Sequence, residues 1–209
     1  LHTQANEKLP YDEIDMDFMN LNQSAHGDRE YGFIVARMGI PHEVVAGYYK
    51  HDDVVAKIRQ FASVAKAISY SKSLKVASFG NNMREVAVTD GDRVESQIKY
   101  GWECNYYALG DVVDIINEVT EEEIDAKMKE YTDKYTMKTD RIDSVREQAK
   151  YEVGFEKFLK ENGIGAFADT FQDLHGLKQL PGIAAQNLMG KGVGFGPEGD
   201  YKIAALSAV

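Results

Sequence analysis

This sequence of 209 residues has little of several features that would assign it to a class at once. It contains one cysteine, Cys104, so no disulfide can form within the chain, and the single thiol fits a reducing compartment. No apolar run approaches the roughly 20 residues that span a bilayer, so we expect no membrane partner. Basic residues are scarce, because 24 lysines and arginines against 34 acidic side chains give a net charge of −10. That balance argues against nucleic-acid binding, which requires a basic face.

The loop after Gly80 and the histidines also lack the short motifs of phosphate and metal sites. Neither GxGxxG nor GxxxxGK[ST] begins at Gly80, so the polar loop that follows it predicts a tight turn between a strand and a helix rather than a phosphate cradle. The five histidines show no HxxxH or similar spacing. No complete metal site can therefore be predicted from local sequence.

Apolar periodicity predicts strands that alternate with helices. Helices are predicted at residues 20–38, from Asp52 onward, and at 92–100, 110–118, 140–162 and 181–189, with strands at 43–49, 74–79, 103–109 and 165–168. The helix from Asp52 is expected to bury Val55, Ile58, Phe61, Ala62 and Ala65. A capping box at Thr120 begins another helix, and Gly163 ends the long one.

This alternation favours an α/β fold of the flavodoxin-like or Rossmann-like type, in which layers of parallel sheet are flanked by helices. Ligands of such sheets bind at the carboxyl ends of the strands, where residues 80–83 and 169–171 would lie. The polar segment 69–73 is the best domain boundary. Residues 1–4 carry no features of a natural start, and residues 203–209 form an apolar helical pattern without a closing signal, so we expect truncation at both ends.

The segment 192–202 places one carboxylate, Glu198, in a glycine-rich loop. A lone glutamate there resembles one ligand of a site whose other ligands are missing, but taken alone it is better explained as a loop carboxylate at a helix N-terminus. Residues 20–30 and 169–178 each gather polar side chains that could bind sugar hydroxyls, the second with an aromatic ring, Phe171. Taken alone, the first is better explained as a solvated helix terminus, and the one histidine of the second, His175, as an ordinary surface residue.

Taken together, residues 15–27, 82–92, 171–182 and 199–202 resemble the L-arabinose isomerases. The matching segments occur in the family's order and cover almost the whole chain, with the weakest likeness at 135–152. The resemblance implies that residues 1–72 are the C-terminal part of a first α/β domain. Residues 73–209 would be a central α/β domain that lacks its end.

The resemblance also implies a function and a site. The family converts L-arabinose to L-ribulose, and D-galactose to D-tagatose, through a metal-assisted enediol. Glu198 matches the first of two glutamates that, with two histidines, hold Mn²⁺ and move the proton; the other ligands are expected beyond Val209. Glycines 194, 196 and 199 would let the backbone approach that metal. Gln23, Met83 and Phe171 match positions that line the sugar site.

The family assembles as a cytoplasmic homohexamer built from trimers, with pockets shared between neighbouring subunits. These 209 residues alone are therefore expected to be inactive. Two alternatives stay open: a non-catalytic α/β module that binds a sugar or a partner protein, and an isomerase of another sugar such as fucose.

Overall fold

The computed structural model describes residues 2–209, and the chain divides after Ala67 into two units. The first unit has a two-stranded parallel sheet of β1 (His2–Gln4) and β2 (Ala46–Tyr48), with helices α1 (Met16–Asn22), α2 (Ala25–Arg37) and the start of α3 (Asp52–Ser71). The predicted strand at 43–49 is thus present but shorter. The expectation about residues 1–4 includes Leu1, which lies outside the described residues.

The helix predicted at 20–38 is two helices, separated by Gln23 and Ser24. Helix α1 begins earlier than predicted, because the Asp15 carboxylate accepts a hydrogen bond from the Phe18 backbone N–H at 2.7 Å. It ends where the Asn22 side-chain amide donates to the Phe18 carbonyl at 2.8 Å, a local bond that competes with helix continuation. The prediction missed the break because apolar residues continue on both sides of it.

The buried stripe predicted for α3 is only partly buried. Val55 and Ile58 are half-buried, whereas Phe61, Ala62 and Ala65 are exposed. The prediction was wrong for these last three residues because periodicity identifies an apolar helix face without showing which element covers it.

The second unit is a four-stranded parallel sheet flanked by helices, which confirms the predicted α/β fold. Its strands are β3 (Lys75–Phe79), β4 (Glu103–Tyr107), β5 (Ala166–Ala168) and β6 (Gly194–Gly196), in the order β4-β3-β5-β6. Its helices after α3 are α4 (Arg93–Tyr100), α5 (Leu109–Asn117), α6 (Glu121–Lys134), α7 (Ile142–Asn162), α8 (Gly182–Gly190) and α9 (Tyr201–Ala208). Short 3₁₀ turns occur at Ala87–Thr89 and Pro197–Gly199.

Both predicted helix-end signals are present. The Thr120 hydroxyl accepts from the Glu123 backbone N–H, and the Glu123 carboxylate accepts from the Thr120 N–H, so the capping box is complete. Gly163 has φ 64° and ends α7 in the left-handed conformation that glycine adopts readily. Such signals were predictable because they depend on residues that are close in sequence.

Side chains of alternate strand positions enter two hydrophobic cores on opposite sides of the sheet. On one side Phe79 packs edge to face against both Phe167 and Phe155, and Phe167 stacks with Phe155 of α7, beneath α5 and α8. On the other side, Val76 and Trp102 pack with α9. The sheet is therefore covered on both faces, and ligands can reach it only at its edges or strand ends.

The direction of strand addition reverses at β3. From β3 the chain crosses to β4 at one edge, then returns to β5 on the other side of β3 and continues to β6. In doubly wound sheets, ligands bind in the crevice that this reversal leaves at the carboxyl ends of the strands. The loops that follow β3 and β5 are therefore where a site is expected.

The glycine-rich segment forms an edge strand rather than the predicted loop. A Cβ atom on Gly194 would overlap the Ala204 carbonyl oxygen, and one on Gly196 would overlap the Asp200 carbonyl oxygen. These glycines allow α9 to lie directly against β6. The space that a Cβ atom would need at Gly194 and Gly196 is filled by the chain itself, and the role of the glycines in metal approach stays a prediction.

A buried carboxylate, Glu152, joins helices α6, α7 and α8. Its side chain is 1% exposed and accepts hydrogen bonds from Tyr131 at 2.5 Å, Lys191 at 2.7 Å and Asn187 at 2.8 Å. The ammonium of Lys127, which is also buried, lies 3.4 Å from the same carboxylate. Burial opposes ionisation of Glu152, but these partners outweigh it and hold its pKa below the usual value.

Candidate functional site

Three loops follow the carboxyl ends of β3, β5 and β6, and backbone hydrogen bonds connect them. The Met83 N–H donates to the Glu198 carbonyl at 2.8 Å, and the Gly199 N–H donates to the Asp169 carbonyl at 2.6 Å. The loop after β6 is therefore bonded to each of the other two. Two residues predicted for the site, Met83 and Glu198, are brought together by their backbones.

Glu198 has a left-handed backbone, with φ 60° and ψ 20°. This conformation costs a residue other than glycine on the order of 1–2 kcal/mol. The turn is held in place because Gly199, at φ 74°, lies so close to the Asn81 carbonyl oxygen that a Cβ atom would overlap it. Glu198 is exposed on this turn. Backbone strain of this kind clusters at functional sites, but Glu85 shares it at φ 67°, so it supports Glu198 as a candidate only together with the bond to Met83.

The other predicted sugar-lining residues lie in different places. Met83 is half-buried in the loop after β3, and Phe171 is 55% exposed in the loop after β5. Gln23 belongs to the first unit, where it is exposed and its amide donates to the Asn20 side-chain oxygen at 3.1 Å. Three of the four predicted site residues therefore lie on connected loops of the second unit.

Arg84 joins the loops after β3 and β5 directly. Its backbone N–H donates to Gln172 Oε1 at 2.7 Å, and its guanidinium Nη2 donates to the Gln172 carbonyl at 3.4 Å. Its Nη1 atom lies 2.9 Å from Asp173 Oδ1. We call Arg84, Gln172 and Asp173 the Arg84 clasp. The predictions did not include it, and its members lie too far apart in sequence for any local motif to identify them.

Asp169 is a second residue that the predicted site did not include. It directly follows β5, is 6% exposed, and its Oδ2 atom is buried with no hydrogen-bond partner among residues 2–209. Burial raises the pKa of this carboxyl to about 7. In the sequence, the feature that could have identified Asp169 as a candidate is its position as the first polar residue after an apolar strand.

Substitution of Asp169 by asparagine is expected to stabilise the second unit by about 2 kcal/mol at pH 8 and to change little at pH 4. Aspartate ionises near pH 4 in an unfolded chain and near pH 7 here, so the folded state binds more protons between these values. The stability of the protein therefore falls as pH rises through this window. The amide removes the charge penalty but stays a buried polar group, which limits the gain.

Urea unfolding followed by the fluorescence of Trp102, the only tryptophan, measures this effect in the second unit. The matched control is Asp114→Asn, at an exposed aspartate of α5, which should change stability by less than about 0.5 kcal/mol. An equal gain from Asp169→Asn at pH 4 and pH 8 would contradict the assignment.

Arg93 lies between two tyrosine rings beside the same edge of the sheet. Its guanidinium carbon is 3.6 Å from the centre of the Tyr106 ring and 4.5 Å from that of Tyr201. Its Nη2 atom donates to Ser78 Oγ at 3.4 Å, while Nε and Nη1 are buried without partners in the described part of the chain. The ring faces hold this charge by cation–π attraction, so Arg93 supports the loops without offering an open binding surface.

The residues present do not fit a complete Mn²⁺ site. Glu198 offers carboxylate oxygens, which suit this ion. However, from residue 2 to residue 209 no three or more His, Cys, Asp or Glu side chains are grouped so that they could hold a metal. Glu198 can therefore supply at most one ligand of the predicted metal centre.

In the described part of the chain, no helix is both long and apolar enough to cross a membrane.

The fold and the connected loops define a class: α/β proteins whose small-ligand sites lie at the carboxyl edge of a parallel sheet. A family model described as the L-arabinose isomerase central domain matches residues 75–209, and one described as the L-arabinose isomerase N-terminal domain matches residues 1–73. The chain belongs to the L-arabinose isomerase family, as predicted. The domain limits 1–72 and 73–209 stay predictions.

Several curated relatives are similar to the chain over nearly its whole length. The L-arabinose isomerase of Shouchella clausii is 54% identical, over 100% of this chain and 43% of its own length. That of Oceanobacillus iheyensis is 54% identical, over 99% of this chain and 45% of its own length. The Geobacillus kaustophilus protein is 51% identical, over 99% and 43%. The chain thus spans less than half the length of these relatives.

Proposed function

We propose that this chain supplies part of the active site of an aldose–ketose isomerase that converts L-arabinose to L-ribulose, with D-galactose to D-tagatose as a second activity. The observation that carries the proposal is the placement of Glu198. This carboxylate lies on a strained turn that is hydrogen-bonded to the Met83 loop, in a chain 54% identical to an L-arabinose isomerase.

The reaction moves one proton between C2 and C1 of the sugar and another between their oxygens. A carboxylate removes the C2 proton, the electron pair of the broken C–H bond forms the C1=C2 bond, and the C1=O1 π pair moves to O1, which takes a proton to give the cis-enediol. O2 then loses its proton and forms the C2=O2 bond as the C1=C2 π pair takes a proton at C1, which gives the ketose. We assign one of these two carbon proton transfers to Glu198, whose exposure leaves it accessible to a sugar.

The remaining parts of the proposal concern binding and assembly. Met83 and Phe171 would offer apolar surface to the C–H faces of the sugar, and the Gln23 amide would bond its hydroxyls. Mn²⁺ is the proposed cofactor of the whole enzyme, with Glu198 as one ligand. The proposed assembly is a cytoplasmic homohexamer in which Gln23 can serve the pocket of a neighbouring subunit.

A hybrid enzyme tests this function. In it, residues 1–209 replace the matching segment of the Shouchella clausii L-arabinose isomerase. With Mn²⁺ it is expected to form L-ribulose from L-arabinose well above a metal-only control, whereas the 209 residues alone should form none. The same assay with D-galactose and L-fucose identifies the preferred sugar.

Each outcome of that assay has a definite meaning. A folded hybrid that isomerises none of these sugars would overturn the enzyme assignment and favour a non-catalytic sugar-binding module. Preference for L-fucose over L-arabinose would favour the alternative that the chain belongs to an isomerase of another sugar. Formation of L-ribulose by the 209 residues alone would contradict the expectation that further ligands and residues are required.

A further inference from the structure

We infer that the Arg84 clasp is a positioning device: it holds the loops that carry Met83 and Phe171 in one fixed arrangement, so that the sugar meets a wall ordered in advance. Arg84 follows Met83 in the sequence, and Gln172 follows Phe171. Arg84 and Gln172 are thus each the sequence neighbour of a residue predicted to line the sugar site. The inference rests on the proposed function.

The clasp contacts fix the backbone as well as the side chains. Gln172 Oε1 accepts from the Arg84 backbone N–H at 2.7 Å, and the guanidinium reaches both the Gln172 carbonyl and the Asp173 carboxylate. One arginine therefore bonds two consecutive residues of the opposite loop. A fork of donors suits this task, because a lysine ammonium has no such planar arrangement.

Gly80 makes room for the clasp at the end of β3. It has φ 78°, and a Cβ atom there would lie only 3.1 Å from the Asp173 Cβ. Asp173 is also held by its own loop, since its N–H donates to the Thr170 carbonyl at 3.0 Å. The carboxylate that receives Arg84 is thus placed by the backbone on both sides.

A purely stabilising role is a weaker explanation of these contacts. The Arg84 and Asp173 side chains are 63% and 33% exposed, and ion pairs this open to water add little to global stability. Their consequence is local: they remove freedom from two loops whose order a ligand would otherwise have to establish on binding. Loss of the clasp should therefore weaken sugar binding more than it slows the chemical step.

The first test uses the 209-residue chain itself and does not depend on catalysis. Hydrogen–deuterium exchange is compared between the parent, Arg84→Ala and the control Arg141→Ala, at an exposed arginine that precedes α7. Arg84→Ala is expected to speed exchange at residues 80–86 and 169–175 and to leave the rest of the second unit unchanged. Unchanged exchange in both loops would contradict the inference that the Arg84 clasp orders them.

The second test uses the hybrid enzyme. Arg84→Ala and Gln172→Ala should each raise KM for L-arabinose about three- to tenfold with kcat within about twofold, the size expected for lost preorganisation. Arg84→Lys keeps the charge without the fork, so its KM should lie between those of the parent and Arg84→Ala. The double substitution Arg84→Asp with Asp173→Arg restores an ion pair and should give a lower KM than Arg84→Ala. The control Arg141→Ala should change neither KM nor kcat.

The two proposals fail in different ways. A parent hybrid that makes no ketose refutes the proposed function. The hydrogen–deuterium exchange measurement then still shows whether the Arg84 clasp orders the two loops. An active hybrid in which Arg84→Ala leaves KM unchanged, or lowers kcat and KM together with a general loss of stability, refutes the positioning role.

Discussion

Replacement of Glu198 by glutamine in the hybrid enzyme is expected to lower kcat for L-arabinose by roughly 10²–10⁴-fold, the usual cost of losing an acid–base group. Glutamine has nearly the same shape as glutamate but cannot take or return a proton. The turn that carries it is held by backbone contacts of Met83 and Gly199, which the substitution leaves in place. The fold should therefore be unchanged, and the loss should appear in turnover.

Glu85 offers a closely matched control for this experiment. It is the other non-glycine residue with a left-handed backbone in the described part of the chain, at φ 67°, and it is also exposed. Glu85→Gln removes the same charge from a neighbouring strained loop position, yet should leave kcat within about twofold of the parent. If both variants lose activity equally, the effect belongs to loop charge or strain and not to proton transfer by Glu198.

Glu152→Gln is expected to destabilise the second unit by about 2 kcal/mol, less than the cost of leaving a buried charge with no partner. The substitution removes one carboxylate from the buried Lys127 ammonium, which keeps Glu130 at 2.9 Å, and one from Lys191, which keeps Glu156. Hydrogen bonds from Tyr131 and Asn187 converge on the same carboxylate oxygen, and an amide can satisfy them only in part.

Urea unfolding of the 209-residue chain, followed by Trp102 fluorescence, measures this loss. The matched control is Glu161→Gln, at an exposed glutamate on the same helix, which should shift stability by less than about 0.5 kcal/mol. A loss below about 1 kcal/mol for Glu152→Gln would mean that Glu130 and Glu156 are sufficient partners for Lys127 and Lys191, and that Glu152 is not the centre of the network.

Much of the fold was predictable because its signals are local. The ends of helices at Thr120 and Gly163 depend on residues within one turn, and the alternation of strands with helices follows from periodicity. Strand β6 could not be predicted in this way, because its glycines have low strand propensity and are explained only by the contact of α9. The exposed part of α3 shows the converse limit: an apolar stripe does not reveal whether anything covers it.

The candidate site was predictable to a smaller extent. Local chemistry could not distinguish Glu198 from an ordinary loop carboxylate, and its role came from resemblance to a family. The contact of Met83 with Glu198 joins residues far apart in sequence, so only the folded chain brings them together. The burial of Asp169, whose Oδ2 atom has no hydrogen-bond partner in the described part of the chain, and the Arg84 clasp depend on how two loops pack, which composition and spacing do not encode.

Isomerisation of L-arabinose in D₂O, followed by NMR, tests the central role of Glu198 most directly, because it detects the proton transfer itself. The parent hybrid and Glu85→Gln are expected to form L-ribulose that carries deuterium at C1, since the enediol takes its proton from a group in exchange with solvent. Glu198→Gln is expected to form this product at a rate lower by at least about 100-fold. Deuterated L-ribulose formed at the same rate by Glu198→Gln and Glu85→Gln would contradict the assignment.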